Sequence, residues 1–236
     1  NETMPRWSTD GKRIYYLNDG GSSQIWSMNA DGSDKKQISK TTSDISNYGF
    51  SSDGKTVWMT MDVQLDNFYG KDKYPDLPKT TGKVYDDLMM RQWDSWTNGS
   101  YSHVFVAQMN DGIVVNAVDL LKDEHYDSPL KPNGGDEEIS ISPDGKLIAY
   151  TCKKLSKRDY ALTTNSDIFL YNVETGATTN ISSENTAYDK APSFSRDGKS
   201  IAWISWDEPI NEASKQRLMI YELASKTKSD ITSDFS

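Results

Sequence analysis

A single cysteine, Cys152, and only two histidines, His103 and His125, occur among the 236 residues. One cysteine excludes an internal disulfide. It ends the run Ile148-Ala149-Tyr150-Thr151-Cys152, where a small buried residue is expected. No Cys/His cluster with metal-ligand spacing is present, and Asp31-Gly32-Ser33-Asp34 lacks the ligand count of a calcium loop. Basic residues are also scarce: 26 face 35 acids, a net charge of −9. That removes the basic patch a nucleic-acid or anionic-membrane surface needs. Apolar runs such as Ile14-Tyr15-Tyr16-Leu17 fall far short of the roughly 20 residues of a membrane-spanning helix. The nucleophile elbow Gly-x-Ser-x-Gly is missing too; Gly20-Gly21-Ser22-Ser23 and Gly99-Ser100 lack its spacing. No catalytic residue, metal or cofactor is therefore expected in this chain, and no nucleic-acid or membrane partner.

Aromatic residues are plentiful: seven Trp, 13 Tyr and six Phe. They fit pleated surfaces and favour β structure. Four segments then repeat one pattern, a short strand ending in Ser followed by x-Asp-Gly-Lys and an apolar strand. They are Trp7-Ser8-Thr9-Asp10-Gly11-Lys12, Phe50-Ser51-Ser52-Asp53-Gly54-Lys55, Ile141-Ser142-Pro143-Asp144-Gly145-Lys146 and Phe194-Ser195-Arg196-Asp197-Gly198-Lys199. Asp-Gly between apolar runs marks a tight hairpin, because the turn needs φ > 0, which Gly adopts freely. The strands behind it (14–17, 57–61, 147–151 and 201–206) are apolar on both faces, as when a sheet is covered on both sides. Radially packed propeller blades give that cover.

The repeat predicts an all-β fold, a β-propeller of four-stranded antiparallel blades at about 4–40, 46–119, 137–183 and 191–233. The repeat aspartates lie 43, 91 and 53 residues apart, against about 40–50 residues per blade. The long middle interval is read as one blade with an insertion at 63–100. Within it, Val84, Leu88, Met89, Trp93 and Trp96 recur at helical spacing, which predicts a helix over 83–96.

The turn motif and the insertion together resemble the N-terminal propeller of prolyl oligopeptidase-family serine peptidases. The subgroup is that of bacterial acylaminoacyl- and dipeptidyl-peptidases. The specific stretch runs from Lys83 through Arg91-Gln92-Trp93-Asp94-Ser95-Trp96 to Ser102-His103-Val104-Phe105-Val106. In such peptidases a seven- or eight-bladed propeller caps an α/β-hydrolase domain, admits short peptides and helps recognise the substrate N-terminus. The resemblance therefore implies about four blades of a larger propeller, with the C-terminal α/β-hydrolase domain and short peptides as partners.

Glu137 and Glu138 are the candidates for holding a peptide α-amino group, since paired carboxylates suit an ammonium. Their place at a strand entry, where neighbours point to opposite faces, favours surface charges instead. Arg91 is the candidate clamp for a peptide carboxylate or carbonyl, and Trp93 and Trp96 are the candidates for docking the hydrolase domain. The rival reading is a free-standing protein-binding scaffold like the Tol-system propellers. Ser51 to Trp58 also approaches a sialidase Asp box, but its Gly stands one place early. A disulfide-free bacterial chain suits periplasm or cytoplasm, with the periplasm preferred.

Overall fold

The computed structural model describes residues 1–211 and 213–234. The first blade comprises β1 (Glu2–Trp7), β2 (Arg13–Asn18), β3 (Gln24–Asn29) and β4 (Lys36–Gln37). The second has β5 (Ile45–Phe50) and β6 (Thr56–Gln64). After the outgrowth α1 (Gly70–Lys73), β7 (Arg91–Gln92) and β8 (Ser95–Trp96) come its β9 (Ser100–Asn110) and β10 (Ile113–Asp119). The third has β11 (Ile139–Ile141), β12 (Leu147–Cys152), the helical turn α2 (Lys157–Leu162), β13 (Asp167–Asn172) and β14 (Thr178–Asn180). The fourth has β15 (Asp189–Phe194), β16 (Ser200–Trp206), β17 (Gln216–Glu222) and β18 (Thr227–Asp230). Each blade is a four-stranded antiparallel sheet, and β7 and β8 pair separately.

All four Asp-Gly pairs join the first strand of a blade to the second, with one repeated geometry. The Ser hydroxyl donates to Asp Oδ1 at 2.6–2.7 Å, and the Lys amide donates to the same oxygen at 3.0–3.1 Å. The glycines stand at φ 68, 71, 71 and 69°, a region that strains a residue bearing a Cβ. The serine hydroxyls, with the lysine amides adding, hold Asp10, Asp53, Asp144 and Asp197 below the usual carboxyl value of 3.8. Depressed folded-state values mean that these turns stabilise the fold fully above the unfolded value. The contribution is lost as pH falls below 3.8 through the folded values. Urea midpoints measured from about pH 5 to about pH 2.5 should fall with acid, and less steeply in Asp144→Asn than in the parent chain.

The two apolar faces of each second strand serve two different neighbours. Val57 and Met59 pack toward the first blade with Leu17, Ile25 and Ile38. Trp58, between them, packs toward the third blade with Ile148 and Tyr150. Ala149 then faces the fourth blade with Ile168, Ile201 and Trp203. Three apolar seams thus join four blades, and none of these clusters joins the first blade to the fourth. The outer faces stay open: Trp7 is 62% exposed on the first and Ile204 36% on the fourth.

Strand direction alternates within a blade, so the Asp-Gly turns share one end of the arc. The opposite end carries the β6–β9 outgrowth, the 120–138 connection and the 153–166 segment. The expected helix over 83–96 does not form. Lys83 bridges Tyr69, and the chain then turns irregularly into the β7–β8 hairpin. A helix this short is marginal without a face to pack on, and these side chains reach separate partners instead. Tyr85 stacks between Phe68 and Trp96 at 5.0 and 5.9 Å, Asp86 bonds Lys73, and Asp87 pairs with Lys157. The Asp136–Glu138 segment is likewise a 3-10 turn before β11 rather than the start of the strand.

Candidate functional site

A cleft of about 970 Å³ opens at the loop-rich end, between the outgrowth and the loops at 123–127 and 155–160. Its position follows from the long β6 and β9 strands, which run past the blade as a hairpin and carry the outgrowth over the neighbouring loops. Gly99 closes that hairpin. Its carbonyl accepts from Leu65 and Asp66 amides at 3.0 Å each, and its φ of 85° brings it against the Asp66 carbonyl, where a Cβ would lie 2.0 Å away.

Seven carboxylates line the cleft (Asp66, Asp72, Asp86, Asp87, Asp123, Glu124 and Asp127) against Lys73 and Lys157. Aromatic rings supply much of the wall, among them Tyr69, Tyr85, Tyr101, Tyr126 and Tyr160. Asp66 is oriented from two sides: Tyr101 donates to it at 2.7 Å, and His125 Nε2 lies 3.2 Å away. Burial, and then the Asp66 carboxylate, raises the Tyr101 hydroxyl well above its ordinary value. Burial also raises Asp127, against the pull of Lys131 at 3.2 Å. The wall formed by α2 hangs on Lys153, which donates to the Tyr160 carbonyl at 2.6 Å and to that of Thr163. Burial, then the like charge of Lys190, lowers Lys153 to about 8. An acidic, aromatic cleft of this size suits a cationic organic group, since carboxylates attract the charge and ring faces add cation–π attraction.

None of the expected site residues, Arg91, Trp93, Trp96, Glu137 and Glu138, lines this cleft. Arg91 is exposed on the hairpin with its guanidinium 5.7 Å from the Trp96 ring centre, so the structure brings these two together. Trp93, at the hairpin turn, is 74% exposed and Trp96 56%. Glu137 and Glu138 are not brought together. Glu137 accepts from the Gly135 amide at 3.0 Å. Glu138 is buried, accepts from the Leu130 amide at 2.7 Å and lies 3.7 Å from Lys190. The cleft groups Asp66, Tyr101, His125 and Asp127 escaped the sequence reading because they come from the outgrowth, from β9 and from the 120–138 connection. One signal was present: Asp66 lies near the start of the insertion and Tyr101 just past its end, and a β6–β9 hairpin brings those two positions together.

Blades and cleft define the class of molecule, a β-propeller fold of four-stranded blades with an acidic, aromatic cleft at one end. Comparison with known proteins narrows this. No family model matches the chain. It is 43% identical over all 236 of its residues to dipeptidyl-peptidase 5 of Porphyromonas gingivalis, covering 34% of that protein. The chain thus spans about a third of the length of the curated relatives it matches. Among solved structures, acylaminoacyl peptidase from Pyrococcus horikoshii superposes over 99% of this chain and 32% of that one. Its TM-score is 0.64 and its identity 15%. TolB from Acinetobacter baumannii superposes over 98% of this chain and 43% of that one, at a TM-score of 0.52 and 14% identity. At such identities the structural likenesses show the fold alone.

Proposed function

We propose that this chain is the non-catalytic, substrate-gating and recognition part of a serine exopeptidase of the dipeptidyl- or acylaminoacyl-peptidase type, with the α/β-hydrolase domain outside it. The observation that carries the reading is the 43% identity, end to end, with a dipeptidyl-peptidase about three times as long. The two open blade faces support it, since further blades of a larger propeller would cover Trp7 and Ile204 as the internal seams cover their counterparts. The acidic cleft suits the α-ammonium of a short peptide. Trp93 and Trp96 stand exposed at the same end as the cleft, placed to meet the hydrolase domain, with Arg91 beside them to clamp a peptide carbonyl. In this reading Glu137 offers a single carboxylate, because Glu138 is committed to a backbone amide. The same sequence identity favours the peptidase over a Tol-like scaffold. The test is whether peptide hydrolysis requires sequence beyond this chain.

A further inference from the structure

His103 lies at the heart of the second blade and is fully buried. It belongs to β9, opposite Met61 of β6. Its Nδ1 is 2.8 Å from Asp119 Oδ2, and its Nε2 is 2.9 Å from the carbonyl oxygen of Glu124. A backbone carbonyl can only accept a hydrogen bond, and so can an ionised carboxylate. A neutral imidazole has one N–H, which would leave one of these close contacts between two lone pairs. The Asp119 carboxylate is further committed as an acceptor, because its Oδ1 takes the Leu121 amide at 2.9 Å. With Asp119 ionised, both contacts are hydrogen bonds only when both ring nitrogens carry protons.

We infer that His103 is held as a buried imidazolium that latches the 123–127 wall of the cleft to the blade, and that loss of its Nε2 proton releases that wall. The wall's side chains are paired outward, Glu124 to Lys154, His125 to Asp66 and Asp127 to Lys131, and the Glu124 carbonyl stands between its two anchor points on the blade. On one side Leu121 is held by Asp119. On the other, the Ser102 amide donates to Asp127 Oδ1 at 2.8 Å and Ser128 donates to the Ser102 carbonyl at 2.8 Å. Between them, the wall carries Asp123, Glu124, His125 and Tyr126 into the cleft.

The charges around the latch come from every element that packs there. Asp119 ends β10 and is the direct counter-ion. The Glu124 carboxylate turns away to Lys154, beyond β12. Asp127 and, from β6, Asp62 share Lys131 at 3.2 and 3.5 Å. Of these carboxylates, Asp119 is the one hydrogen-bonded to the ring among the described residues, and the Nε2 side faces the Glu124 carbonyl. His103 thereby acts as a positioning residue: it touches no ligand, and it sets where the Asp123–Asp127 acids stand.

Two measurements on the same protein test this. In 15N-histidine spectra taken on the acid side of neutrality, His103 should show one-bond N–H couplings at both ring nitrogens. As pH is raised, loss of the Nε2 proton should coincide with a fall of about tenfold or more in amide-exchange protection at 123–127, after correction for the intrinsic rate at each pH. His103→Gln offers a donor that does not titrate, so in that variant the protection should lose its pH dependence. A singly protonated ring in the acidic spectrum would overturn the inference. So would a wall whose protection stays constant while the ring deprotonates. Should His103→Gln fail to fold, the parent protein's two measurements decide alone.

Discussion

Gly145→Ala should lower the unfolding free energy by about 3–4 kcal/mol, while Gly11→Ala, at the same place in the same turn, should cost only about 1. Both glycines sit near φ 70°, so both substitutions incur the left-handed penalty of about 1–2 kcal/mol. The difference is the neighbour. A Cβ on Gly145 would lie 2.4 Å from Thr56 Oγ1 and 2.8 Å from its Cβ, on the second blade. A Cβ on Gly11 would meet nothing within 4 Å. The other two copies fall between: Gly54 would meet Thr9 at 3.4 Å and Gly198 would meet Pro143 at 3.2 Å. Each turn leans on the turn of the blade before it, and the first has none to lean on. The four melting temperatures should therefore rank Gly11→Ala mildest, then Gly54→Ala and Gly198→Ala, with Gly145→Ala most damaged. At roughly 2–4 °C per kcal/mol for a chain of this size, the extremes differ by about 5–10 °C. Four equal shifts would mean that the turns do not pack in series.

Under the proposed function, Trp93→Ala and Trp96→Ala should do the reverse, cutting the peptidase activity proposed for the full-length protein by about tenfold or more while changing stability by about 1 kcal/mol or less. Trp93 is 74% exposed, so truncating it removes little buried area. Trp96 keeps only its stack on Tyr85 and the Arg91 guanidinium over its face. Large exposed aromatics at the cleft end are expected to anchor an interface, where buried Trp carries a large share of the binding energy. The check compares melting curves of the isolated chain with kcat/KM of the full-length variants. A large stability loss with activity per folded molecule intact would make the hairpin ordinary core.

The turns were legible because their chemistry is local: Ser, Asp, Gly and Lys meet within six residues, and every copy writes the same hydrogen bonds. A second repeated feature emerges only in the structure. Met4-Pro5 and Ala191-Pro192 occupy matching places in β1 and β15, where the register shifts and Met4 and Ala191 take φ of 51 and 56°. Proline at a bulge on an edge strand removes a donor that would invite pairing. The conformation of the insertion was not legible. Helical spacing over 83–96 arose without a helix, because Tyr85, Asp86 and Asp87 find partners on three different segments. The cleft stayed hidden for the same reason: Asp66, Tyr101 and His125 are neighbours only after β6, β9 and the 120–138 connection have been placed. Nothing in the sequence told that both nitrogens of His103 would face acceptors.

The proposed function is recognition and gating without cleavage by this chain. The direct measurement is hydrolysis of a dipeptidyl chromogenic substrate by the purified chain and, in parallel, by the full-length protein it comes from. The account predicts no turnover by the folded chain, and turnover by the full-length protein that a serine-directed phosphonate abolishes. Phosphonate-sensitive turnover by the chain alone, surviving repurification, would contradict it, as would a folded full-length protein that cleaves no dipeptidyl or acyl-peptide substrate.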